Sequence, residues 1–118
     1  MKEPTDCILW NEPEKITSET FDGFDVVEKY VDTSHWERSL LKCRECGQLY
    51  FHEFYEVVDW EDGEDPQYWT YIPVESDEEI ALLKKTTFFE LLQFFPRLQR
   101  DYPKGAKKEK CFWAKIKA

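Results

Sequence analysis

Apolar positions along this chain fall into two regimes. Between residues 24 and 74 they form short runs of aromatic and β-branched residues, separated by turn-forming clusters. Such side chains pack well on a pleated surface, so residues 24–30, 36–42, 48–60 and 68–74 are read as strands. The breaks between them are Phe21-Asp22-Gly23, Thr33-Ser34-His35, Cys43 to Gly47, and Glu61 to Pro66. The 48–60 run has no purely polar face, which fits a central strand covered on both sides. Pro73 has no N–H to give to a ladder, so the 68–74 strand is expected to lie at an edge or to be ending there. Ile8-Leu9-Trp10 reads as a further short strand, and residues 111–116 as a final one.

At Ser76 the pattern changes. Ser76 with Glu79 has capping-box spacing ahead of Ile80-Ala81-Leu82-Leu83, and Thr87 with Glu90 repeats it ahead of Leu91 to Phe95. Pro96 stops or kinks the second helix. The expected fold is α+β: an antiparallel β-meander of about four to five strands with two short helices packed on one face. A length of 118 residues fits a single domain spanning 1–118. Phe88, Phe89, Leu91, Leu92, Phe94 and Phe95 are then the helix faces laid on the sheet.

Charge changes the picture of what the surface does. Residues 1–80 carry 22 acidic and 6 basic side chains, a net of -16, whereas residues 81–118 carry 3 acidic and 10 basic, a net of +7. The acidic part repels phosphate backbones, so nucleic acid is an unfavoured partner, and it steers a basic protein inward. The basic stretch from Lys104 to Lys117 balances the acidic region within the fold or offers a contact of its own. Aromatic residues make up 17% of the chain, more than a core of this size readily hides, so some rings are expected at an interface. The two features meet at Asp59, Trp60, Glu61, Asp62, Glu64, Asp65, Tyr68 and Trp69, where rings beside carboxylates could receive Arg and Lys side chains. A calcium loop does not fit the spacing, because no bidentate Glu follows at the twelfth position. The bland alternative is an acidic hairpin loop kept for solubility.

The four cysteines carry the other candidate chemistry. No run of ~20 apolar residues could span a membrane, and residues 1–4 lack a secretory pattern. A cytoplasmic location is therefore expected, where thiols stay reduced and serve as metal ligands or buried groups. Cys43-x-x-Cys46-Gly47 lies between two strands, as in a zinc-ribbon knuckle. Two intervening residues let both thiolates converge on one ion, and Gly permits the turn. A tetrahedral structural zinc needs two more ligands. Cys7 and Cys111 are the expected pair, on the condition that the chain termini pair in the sheet, with His35 and His52 as substitutes. The alternative is four reduced thiols with no metal. A thioredoxin-like redox pair is disfavoured, because strand rather than helix follows the motif. His52 beside Glu53 could do acid–base work, but no Ser-His-Asp or Cys-His arrangement accompanies either histidine, and no phosphate-binding glycine loop is present.

Residues 22–30, Ser34-His35-Trp36, residues 43–54 with their Cys-x-x-Cys-Gly-Gln-Leu-Tyr-Phe run, and Asp65-Pro66-Gln67-Tyr68 resemble a group of small bacterial proteins. The resemblance covers about half of the chain, and its motifs carry no assigned chemistry. In size and acidity the chain is also similar to bacterial immunity proteins, a likeness that assigns no residues. The expectation is a non-enzymatic protein-binding module, an immunity protein or antitoxin that neutralises a basic, nuclease-like toxin. The alternative is a zinc-ribbon accessory protein of transcription or translation that uses Lys107, Lys108 and Lys110, and a third is an enzyme built on His52 or His35.

Overall fold

The structure is a computed structural model and describes residues 1–115. Its frame is one antiparallel sheet whose six strands follow each other in chain order. They are β1 (Phe24–Asp32), β2 (Trp36–Cys43), β3 (Leu49–Glu56), β4 (Gln67–Val74), β5 (Arg97–Tyr102) and β6 (Lys110–Ala114). Two helices, α2 (Asp77–Lys84) and α3 (Phe88–Leu91), separate β4 from β5. Before β1 come α1 (Ile8–Asn11) and two 3₁₀ turns at Pro13–Lys15 and Ser18–Asp22. The α+β meander is as expected, but it has six strands rather than four to five. The extra strand is β5, whose Arg97-Leu98-Gln99-Arg100-Asp101 run carries one apolar side chain and no readable alternation.

Pleating sends neighbouring side chains to opposite faces, and here both faces are apolar. Leu41, Tyr50, Tyr71 and Leu98 point to one face, where Phe24, Cys43, Cys7 and Leu9 join them. Leu40, Phe51, Ile72 and Val74 point to the other, against Leu83 of α2 and Leu91 of α3. The helices therefore cover one face, as expected, and the N-terminal segment covers the other. Ile8-Leu9-Trp10 is not a strand: the N–H groups of Trp10 and Asn11 both return to the Cys7 carbonyl, at 3.0 Å, and coil the segment. Leu9 is driven into the sheet, and Trp113 Nε1 of β6 donates to its carbonyl at 2.7 Å.

Both expected sites start helices, Thr87 with Glu90 as a reciprocal capping box and Ser76 as an N-cap alone, since the Glu79 carboxylate accepts the Glu75 N–H instead. The Ser76 hydroxyl accepts the Glu79 N–H at 3.2 Å, and Thr87 accepts the Glu90 N–H at 3.2 Å. The second helix is shorter than its apolar run, ending at Leu91 instead of reaching Phe95. Likewise β3 stops at Glu56, four residues short of Trp60, because the acidic loop begins to bond to itself. Pro73 sits beyond Tyr71↔Leu98, where β5 pairing ends, so its missing N–H interrupts no bond to that neighbour. Among the described residues, no helix is long and apolar enough to cross a membrane.

Candidate metal centre and acidic loop

The turn between β2 and β3 is built by its backbone. Gly47 N–H donates to the Cys43 carbonyl at 2.8 Å, and Cys43 N–H to the Gln48 carbonyl at 2.9 Å. Gly47 has φ +79°, a left-handed conformation that side chains resist. This knuckle holds Cys43, buried, and Cys46, exposed, side by side. Cys7 reaches them from the segment that lies across the sheet. Its backbone is fixed by a bond from Cys7 N–H to the Pro4 carbonyl at 2.9 Å. The three sulfurs lie within 4.8 Å of one another, close enough to hold one metal ion.

Cys111 is not among them. The four-cysteine set required the termini to pair in the sheet, and they do not, since the N-terminal segment is coiled. Cys111 is exposed on β6 opposite Arg100, with β4 and β5 between it and β3. Three inter-strand spacings of about 4.8 Å each separate β6 from β3. Neither histidine substitutes for it. His35 Nδ1 is 2.8 Å from Glu56 Oε1. His52 Nδ1 is 3.0 Å from the Thr70 carbonyl, and its ring stacks on Tyr71 at 4.4 Å. Desolvation holds the His52 imidazole down at about 4, so it is neutral in the folded protein.

A residue outside the set of thiols bonds to one of its sulfurs. Tyr50 is fully buried, and its hydroxyl donates to Cys7 Sγ at 3.0 Å. Burial pushes the Cys7 thiol up to about 12, against the lowering effect of the Tyr50 bond. Burial likewise raises the Tyr50 phenol above its usual range, which keeps it a donor. A sulfur in such a place ionises only when a cation is supplied, as ligand thiols do on binding metal. Tyr50 was legible in the sequence only as a strand aromatic, since no local spacing links position 50 to position 7.

Tyr50→Phe is expected to keep the fold and weaken metal binding by about 10- to 100-fold, the usual cost of losing a bond to a ligand atom. Competition against a chromophoric chelator measures it. Equal affinity in both proteins would show that the hydroxyl does not tune the sulfur.

The acidic loop between β3 and β4 is folded upon Asp59. Asp59 Oδ1 accepts the N–H groups of Glu61 at 3.2 Å and Asp62 at 3.3 Å, while Asp65 Oδ1 accepts Asp59 N–H at 2.7 Å. Lys104, from the β5–β6 turn, reaches Asp59 at 3.0 Å and Asp62 at 2.9 Å. Its ammonium, with the Asp62 N–H, holds the Asp59 carboxyl below the ordinary carboxylate range. At this point the basic C-terminal part balances the acidic loop directly. Trp60 stands out of the loop, 91% exposed, flanked by exposed Glu61, Asp62 and Glu64.

Tyr68 and Trp69 do not share one surface with each other, because strand alternation sends them to opposite faces. Tyr68 lies on the helix side near Phe88, with ring centroids 6.0 Å apart. Trp69 packs on the N-terminal side beside Phe54, under the Arg100 guanidinium at 4.3 Å. Of the rings expected around the acidic loop, Trp60 is the one that projects from it.

Comparisons with protein families, with curated proteins and with solved structures return no match.

Proposed function

We propose that this chain is a non-enzymatic protein-binding module, of the immunity-protein or antitoxin kind, that presents Trp60 on an acidic loop to a basic, nuclease-like partner. The observation that carries the reading is the exposure of Trp60 on a loop already ordered by its own hydrogen bonds. A lone surface indole costs solubility and adds nothing to the core. At an interface it is the side chain most often found to dominate affinity, and an ordered loop loses little entropy on binding. The carboxylates around it would take the place of nucleic-acid phosphates in a basic cleft, which sets register and speeds encounter. In this reading the three thiols hold a structural zinc ion, the metal that soft sulfur donors of this kind favour in a reduced setting. The ion joins the N-terminal segment to the β2–β3 knuckle.

The test is retention of a partner from extract of the protein's own host on the immobilised full chain, eluted with rising salt. The wild type is expected to retain a basic protein that elutes as ionic strength increases. Trp60→Ser is expected to weaken retention by about 2 kcal/mol, roughly 30-fold. A partner held equally by both, with no salt dependence, would overturn the reading.

A further inference from the structure

Three thiolates leave a tetrahedral zinc one donor short. Cys7, Cys43 and Cys46 converge, and no fourth Cys, His, Asp or Glu donor among the described residues joins them. Residues 116–118 add only Ile, Lys and Ala side chains. The Tyr50 hydroxyl is already committed as a donor to Cys7 Sγ. The knuckle is nevertheless reachable from outside. Cys46 is exposed, and Cys43 forms part of the wall of an open cavity of about 370 Å³ floored by Leu9 and Phe24. That space is many times the ~30 Å³ of one water molecule and admits an aromatic ring.

Resting on the three-thiol centre of the proposed function, we propose that its metal keeps an open fourth position that takes an imidazole from outside the chain, with water holding the position otherwise. Charge selects the donor. Zn²⁺ with three thiolates has a net charge of -1, and a fourth thiolate or a carboxylate would make it -2. The cavity beside it is already lined by Glu12, Glu19 and Glu45. Of the two cations in its wall, Lys15 pairs with Glu12 of the same wall at 2.9 Å, and Arg44 turns away to Asp25 at 2.7 Å. A second negative charge would sit beside Glu19 and Glu45 of that wall, whereas imidazole adds a good nitrogen donor and no charge.

The full chain is loaded with Co²⁺, kept reduced with a phosphine, and titrated with imidazole, 2-mercaptoethanol and acetate in turn. The sulfur-to-cobalt charge-transfer absorption is expected to report three thiolates, and the ligand-field band to shift saturably with imidazole. Half-saturation is expected at an about tenfold lower concentration than with the thiol. Cys111→Ser is expected to titrate identically, since that sulfur lies outside the centre. A three-sulfur spectrum that imidazole leaves unchanged would overturn the open position and leave the metal centre standing. A stronger response to thiol or acetate would overturn the choice of donor. No sulfur-to-cobalt absorption would overturn the metal centre, and this inference with it.

Discussion

Cys46→Ser is expected to destabilise the metal-loaded protein nearly as much as Cys7→Ser, although one side chain is exposed and the other buried. Cys46 is on the surface, so replacing its sulfur removes little packing. Any large effect must pass through the metal. With free metal about 1,000-fold above its dissociation constant, the linkage supplies about 4 kcal/mol. For a domain of this size that is a drop in Tm on the order of 10–20 °C. What loosens first follows from the layout. The sheet keeps its helix-side cluster of Leu40, Phe51, Ile72, Val74, Leu83 and Leu91 without any help from the centre. The N-terminal cover depends on Cys7, on Leu9 and on the Trp113 bond to the Leu9 carbonyl. A chelator is therefore expected to reproduce the Cys46→Ser loss and to open residues 1–23 to limited proteolysis before the sheet is cut. Cys111→Ser serves as the control, with an unchanged melting curve. Melting curves that ignore the chelator, with Cys46→Ser no different from Cys111→Ser, would sink the metal centre as a stabilising element.

These thiols also show where sequence reasoning succeeded and where it stopped. The knuckle was legible because its chemistry is local: two cysteines, a spacing and a glycine with φ +79°. Cys7 was nameable as a ligand only from the count of cysteines. Choosing between Cys7 and Cys111 needed the topology, and the topology turned on three apolar residues. Ile8-Leu9-Trp10 is too short for periodicity to separate helix from strand, and coiling it removed the terminal pairing that would have brought Cys111 in. Strands β1 to β4 and both helix starts were readable from branched and aromatic runs and from capping-box spacing. Strand β5 was not, because Leu98 alone gives no alternation and its buried Gln99 is also satisfied across the sheet. Gln99 Nε2 donates to the Trp69 carbonyl at 3.1 Å, and Thr70 Oγ1 donates to Gln99 Oε1 at 3.0 Å. Nothing near position 99 in sequence announces either bond. The acidic loop was visible as a charge run, but its clamp by Lys104 was not, since that residue lies some forty positions further on.

The same kind of non-local pairing underlies the other large expected effect. Arg38 on β2 and Glu53 on β3 are directly opposed in register and almost wholly buried, at 3% and 1% exposure. Arg38 Nε donates to Glu53 Oε2 at 2.5 Å, and Trp36 Nε1 donates to the same oxygen at 2.9 Å. Arg38 Nη1 reaches the Leu83 carbonyl at 3.3 Å, in the last turn of α2, so the pair ties that helix to the sheet. Arg38 Nη2 and Glu53 Oε1 have no partner, so solvation lost on burial is only partly returned. Glu53→Leu alone leaves an uncompensated guanidinium beneath α2 and is expected to cost about 3–5 kcal/mol, as is Arg38→Met, which strands the carboxylate. Arg38→Met with Glu53→Leu removes both charges and replaces them with apolar side chains. That double variant is expected to be more stable than either single one, losing mainly the bond to the helix carbonyl and the Trp36 indole bond to Glu53, about 1 kcal/mol each. Urea unfolding of the four proteins at one pH measures the cycle. A double variant as unstable as the sum of the singles would show that the ion pair is not the interaction that couples them, because two independent sites add and a buried pair of opposite charges does not.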